Sequence, residues 1–141
     1  MKVIDAENKI LGRLASNIAS KAREGEEVRI VNSEKAVISG SKEKVLDDYK
    51  QKYDRGTRHR GPYFPQRPEK ILKRTVKNML PDGSEGRESL SRIKTFIGKP
   101  ERFEEPENPD VKEGDDLKNR NYVKLSEVSK HIGWEPKGEI Q

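Results

Sequence analysis

The chain has 141 residues, 39% of them charged and 30% apolar, with a formal net charge of +5; ordinary globular chains are about 25% charged. No cysteine is present, which excludes a disulfide framework and thiolate metal sites. No apolar run approaches the ~18 residues of a membrane span. The length predicts a single domain over residues 1–141, and the low apolar content a thin core.

Lys2 to Asp5 reads as a first strand. Ile10, Leu11, Leu14, Ala15, Ile18, Ala19 and Ala22 then recur at helical spacing, with Asn8 as the expected N-cap and Gly25 as the stop. Gly12 lies inside this helix, where it costs up to ~1 kcal/mol relative to alanine. Either close packing or close approach of a ligand would explain it. Val28–Val31 and Ala36–Ile38 are short β-rich runs, and their alternation with helices predicts a mostly parallel sheet. A second helix is expected after Ser41, with Val45, Leu46, Tyr49 and Tyr53 on one side.

Regular structure is expected to break over 54–67, which holds Gly56, Gly61, Pro62 and Pro65. Helicity resumes at Pro68, suited to a first helical position, and should run to about Leu80 before Pro81, with Ile71, Leu72, Thr75, Val76 and Met79 inward. Asp82-Gly83-Ser84 is a turn signal, followed by a short helix over 85–90 and a strand over 93–97. Residues 99–121 form a long acidic stretch with three prolines, read as a loop or extension pointing away from any polyanion. A return strand over 122–125 and a last helix capped by Ser126 complete the chain, with Trp134 packing beyond it.

Charge is unevenly spread. Residues 42–77 hold twelve Lys and Arg against five acids, whereas 100–141 hold seven against eleven. In the 54–67 loop Arg55, Arg58, His59, Arg60 and Arg67 surround Gly61-Pro62-Tyr63-Phe64. Forked guanidinium donors suit phosphate oxygens. An irregular Gly/Pro backbone suits folded RNA better than a regular DNA groove. Tyr63 and Phe64 are candidates for stacking on bases or for bracing the loop. In the helix after Pro68, Lys70, Lys73, Arg74 and Lys77 gather opposite the apolar side, and Glu69 is its one acid. A helix meeting only water would interleave more glutamate.

Enzyme signatures are scarce: there is no phosphate-binding glycine loop, no dinucleotide turn and no nucleophile elbow. His59 and His131, the two imidazoles, fit loop and structural roles. The eight carboxylates from Glu101 to Asp116 do not match a calcium loop. No catalytic residue, metal or cofactor is expected. A general RNA- or DNA-binding module is the first alternative, and a nucleotide-binding α/β enzyme the second.

Several strings carry a family resemblance. Asp5-Ala6 followed by Ile10-Leu11-Gly12-Arg13-Leu14-Ala15 closely resembles the amino-terminal signature of the thirteenth large-subunit ribosomal protein family. Asn32 to Gly40 is similar to its second strand and turn, while Arg60-Gly61-Pro62-Tyr63 and Arg74-Thr75-Val76 with Met79-Leu80-Pro81 resemble the archaeal and eukaryotic branch. Lys77-Asn78 departs from the Arg-Gly usual before Met-Leu-Pro. The resemblance implies a three-layer α/β/α fold with a small, mostly parallel sheet. It also implies a non-enzymatic role in the large ribosomal subunit, in the cytoplasm, with large-subunit rRNA and neighbouring ribosomal proteins as partners and no membrane or small-molecule substrate. The residues expected on RNA are Arg55, Arg58, His59, Arg60, Tyr63, Arg67, Lys70, Lys73, Arg74 and Lys77.

Overall fold

The computed structural model describes residues 1–56, 65–103, 105–109, 111, 113–114 and 121–135, with Arg55 and Gly56 described by their backbone. The chain begins with β1 (Lys2–Asp5), and α1 (Leu11–Arg23) leads to β2 (Val28–Val31). A 3-10 turn at Ser33–Lys35 precedes β3 (Val37–Ser39) and α2 (Lys42–Gly56). Next come α3 (Pro68–Asn78), α4 (Ser84–Ser91) and β4 (Ile93–Thr95); β5 (Tyr122–Lys124) and α5 (Leu125–His131) follow the acidic stretch. β1, β2 and β4 form a parallel sheet in the order β1-β2-β4, and β3 pairs antiparallel with β5. This is an α/β fold with a small, mostly parallel sheet.

The core follows from two periodicities meeting. In α1, Leu11, Leu14, Ala15, Ile18, Ala19 and Ala22 are buried, which is the 3.6-residue stripe. Ile4, Val28, Ile30 and Ile93 lie on one side of the parallel sheet and join that stripe, together with Ile71, Leu72 and Val76 of α3, in one cluster. Each large aliphatic side chain buried there contributes about 1.5–3 kcal/mol. α4 packs beside α1 and α3. α2 and α5 pack on each other and against β5, where Val45, Val123 and Val128 form a second cluster.

The termini of α1 show where local signals succeed and fail. Gly25, at φ 98°, donates to the Ala22 carbonyl and Glu26 donates to that of Lys21, the paired bonds of a glycine-terminated helix. Asn8 is not the N-cap. It takes a left-handed conformation at φ 63°, and the helix starts after Ile10, with no side-chain cap. The cause is tertiary: Lys9 and Ile10 bridge to Glu113 and Val37, so the chain stays extended two residues longer. Ser126 is likewise not a cap, because β5 runs to Lys124 in register with Val37 and α5 begins at Leu125. Pro68 does occupy the first turn of α3. That helix ends at Asn78, and Met79, expected inward, is the C-cap and 43% exposed. Trp134 is buried beyond α5. Close packing does not explain Gly12, since a Cβ there would have no neighbour within 4 Å.

The described parts of the acidic stretch lie against the body. Glu107 accepts from Asp5 N–H and donates to the Val3 carbonyl (2.9 and 2.7 Å), so its backbone extends the sheet beyond β1. Phe103 is buried. Farther on, Gly114 donates to the Asn8 carbonyl, and Glu113 forms an ion pair of 2.7 Å with Lys9, whose side chain is 4% exposed. No helix among the described residues is long and apolar enough to cross a membrane.

Candidate nucleic-acid interface

α3 is the frame of the interface. Burial of Ile71, Leu72 and Val76 fixes its rotation about its own axis. The positions left outward at i, i+3, i+4 and i+7 are Lys70, Lys73, Arg74 and Lys77. They span about 10 Å along the axis at 1.5 Å per residue, roughly one phosphate-to-phosphate step and a half. Lys70 and Lys77 are exposed, whereas Lys73 and Arg74 are half-buried. Lys77 also stands in the last turn, where the helix dipole favours a cation.

Two features keep this row cationic. Glu69, the acid of the helix, is held by Arg67, with Nη2 to Oε2 at 3.0 Å and Nε to Oε1 at 3.3 Å. Glu69 therefore neutralises Arg67 before it can reach the row, and Arg67 is the weaker phosphate candidate for the same reason. Thr75 Oγ1 donates to the Ile71 carbonyl at 2.9 Å, so the one neutral polar group in this stretch is also satisfied internally. Lys73 sits among atoms that exclude water, and burial lowers its proton affinity first; the positive charge of Lys94 on β4 lowers it further. An anion arriving at Lys73 would relieve that repulsion.

The base of the arginine loop is pinned at both ends. α2 runs to Gly56, so Arg55, expected in the loop, ends a helix by its backbone. On the return side, Gln66 Nε2 donates to the Tyr53 hydroxyl at 2.7 Å and to the Ile132 carbonyl at 3.2 Å, tying the loop exit to α2 and α5. Lys52 lies over the Tyr49 ring and Lys50 over the Tyr53 ring, at 4.8 and 5.7 Å. Burial, with Asp48 nearby, raises the pKa of the Tyr49 hydroxyl. Arg58, His59, Arg60 and Tyr63 lie outside the described residues.

The structure adds a cation that the sequence reading passed over. Lys94 is exposed on β4 and acts on Lys73, which extends the row from α3 to the sheet edge. Its signal was present as strand alternation: Ile93 is fully buried, Lys94 faces out, and Thr95 turns back to donate to the Glu69 carbonyl at 2.9 Å. Among the described residues no cluster of His, Asp and Glu could hold a metal ion.

Comparison with known proteins is consistent with this architecture. The family described as ribosomal protein L13 matches residues 1–102. The large ribosomal subunit protein uL13 of Archaeoglobus fulgidus is 46% identical over 136 residues, covering 94% of this chain and 87% of that protein. Its namesake in Methanosarcina barkeri is 45% identical over 137 residues, covering 94% and 98%. That of Methanocaldococcus jannaschii is 41% identical over 138 residues, with the same coverage. The family match takes in β1 through β4, and the relatives extend the likeness across the acidic stretch to α5, so this chain belongs to the ribosomal protein L13 family.

Proposed function

We propose that the chain is a structural, non-catalytic constituent of the large ribosomal subunit in the cytoplasm, and that it binds and stabilises large-subunit rRNA beside neighbouring ribosomal proteins. The observation that carries the RNA contact is the row Lys70, Lys73, Arg74 and Lys77, held outward by the buried Ile71, Leu72 and Val76. A rigid helix presents these cations at fixed spacing, so little ordering entropy is lost when phosphates meet them. The arginines of the 54–67 segment (Arg55, Arg58, Arg60 and Arg67), with His59 and Tyr63, extend the grip beyond the helix. The role needs no cofactor.

The test has two parts. Subunits fractionated from the native host should carry this chain in the large subunit; recovery only in the free soluble pool would overturn the proposal. Lys70, Lys73 and Lys77 replaced together by alanine should reduce the slope of log affinity for large-subunit rRNA against log salt by about 2–2.7, at roughly 0.7–0.9 per lost phosphate contact. An unchanged slope in a folded variant would place the contact elsewhere.

A further inference from the structure

α1 and α3 pack on the side of the parallel sheet that carries Ile4, Ile30 and Ile93, and the opposite side carries polar as well as apolar side chains. Val3, Arg29 and Lys94 are register partners across β1, β2 and β4, so their side chains form one lateral row on the side away from Ile4, Ile30 and Ile93. Phe96 continues β4, donating from its N–H to the Ile30 carbonyl at 2.8 Å, and by alternation shares the side of Lys94 about 7 Å along the strand. Phe103 from the acidic stretch packs on it, with ring centroids 5.4 Å apart. The Arg102 guanidinium lies over both rings, 5.3 Å from the Phe96 centroid and 4.9 Å from that of Phe103. Arg102 and Lys94 are exposed. Neither has a carboxylate partner among the described residues. Two of the acids near this side are engaged: Asp5 Oδ1 accepts from Asn32 Nδ2 and from Glu7 N–H, and Glu107 pairs with Lys2.

We propose that the exposed cations on this sheet side form a second rRNA contact, continuous with the α3 row around the β4 edge, in which a base stacks on the Arg102 plane over Phe96 and Phe103 while flanking phosphates meet Lys94 and Arg29. The inference rests on the reading of the chain as an rRNA-binding protein. Charge selects a polyanion. The arginine plane selects RNA over an acidic polypeptide, because unstacked bases lie on guanidinium and aromatic planes and carboxylate side chains do not. Lys94 joins the two surfaces, since it stands on β4, the strand against which α3 packs. Arg29 is braced at the rim by donating Nη1 to the Val28 and Arg92 carbonyls, at 3.1 and 3.0 Å.

The experiment uses the full chain and large-subunit rRNA from the host. Lysine acetylation read by mass spectrometry should show Lys94 protected at least about fivefold in the complex, together with Lys70 and Lys77. Protection of Lys70 and Lys77 with Lys94 unchanged would overturn this inference and leave the α3 contact standing. Protection of none would overturn both. Lys94→Ala with Arg29→Ala should lower the salt slope by about 1.4–1.8, two contacts' worth, with an unchanged circular dichroism spectrum. Arg102→Lys should keep the slope yet bind several-fold more weakly, because charge remains and the stacking plane is lost. Equal affinity of Arg102→Lys and the parent would overturn the stacking role. Displacement of the RNA from Lys94 by an equimolar polyglutamate peptide would identify an acidic protein as the occupant instead.

Discussion

Removing Glu113 should destabilise the chain far more than removing its partner Lys9. The pair is 2.7 Å apart, with Lys9 4% and Glu113 40% exposed in their side chains. Glu113→Ala leaves an ammonium group enclosed by protein with its carboxylate gone. Breaking a fully buried pair in this way costs about 3–5 kcal/mol; because Glu113 reaches water, which can partly follow into the space, about 2–3 kcal/mol is expected here. Lys9→Met removes the buried charge and retains the aliphatic stem, and should stay within about 1 kcal/mol of the parent. The double variant should resemble Lys9→Met, since the stranded charge no longer exists. Urea unfolding followed by circular dichroism measures all three, with a shift in Tm of roughly 3 °C per kcal/mol as a check. A Lys9→Met variant as unstable as Glu113→Ala would refute the reasoning, for the cost would then lie in lost packing and not in an isolated charge.

Other perturbations give equally definite outcomes. Leu72→Ala, at a fully buried position, should cost about 2–5 kcal/mol in the same unfolding measurement. Gly86→Ala would drive a Cβ into the Pro81 carbonyl oxygen, so the Pro81 turn must shift, and a loss of about 1–3 kcal/mol is expected. Gly12→Ala, whose Cβ meets open space, should raise the melting temperature of the free chain, by up to about 1 kcal/mol of stability; weaker rRNA binding by that variant would show that a partner approaches the α1 backbone. Lys73 has a lowered pKa in the folded chain, so the folded state releases this proton at a lower pH than the unfolded state does. Stability should therefore rise with pH between the lowered value and the ordinary 10.5, while rRNA binding should take up a proton in that alkaline window. Calorimetry in buffers of differing ionisation enthalpy detects that uptake, and an identical heat in all of them would refute it.

Long, strongly periodic segments were legible from residues alone. The α1 stripe, its glycine stop and the proline start of α3 needed no tertiary information, because each is set by neighbours within a turn. What failed was decided by distant partners. Asn8 and Ser126 have good capping chemistry, but pairing of Lys9 and Ile10 with other segments, and of Lys124 with Val37, moved the helix starts. The strand expected over 93–97 stops at Thr95 and leads to Gly98 at φ 67°. The acidic stretch concealed its docking for a related reason. Its side chains advertise solvent, whereas the contacts at Glu107 and Gly114 are made by backbone amides, which every residue but proline possesses. At the interface, the α3 row was visible as a periodicity. Lys94 was not, because its place beside Lys73 depends on how a strand and a helix far apart in sequence pack together.

The run of chain from Phe103 to Glu107 has a consequence for the protein before it meets RNA. A bare strand edge is a template on which a second copy can add its own strand. Here the outer edge of β1 is occupied by the chain's own Glu107 backbone, and the opposite edge, β4, is guarded by the charge of Lys94 beside that of Lys73. Two copies approaching edge to edge would find one side taken and the other repelling. A newly made molecule therefore has a built-in resistance to self-association during the interval between release from synthesis and capture by its particle.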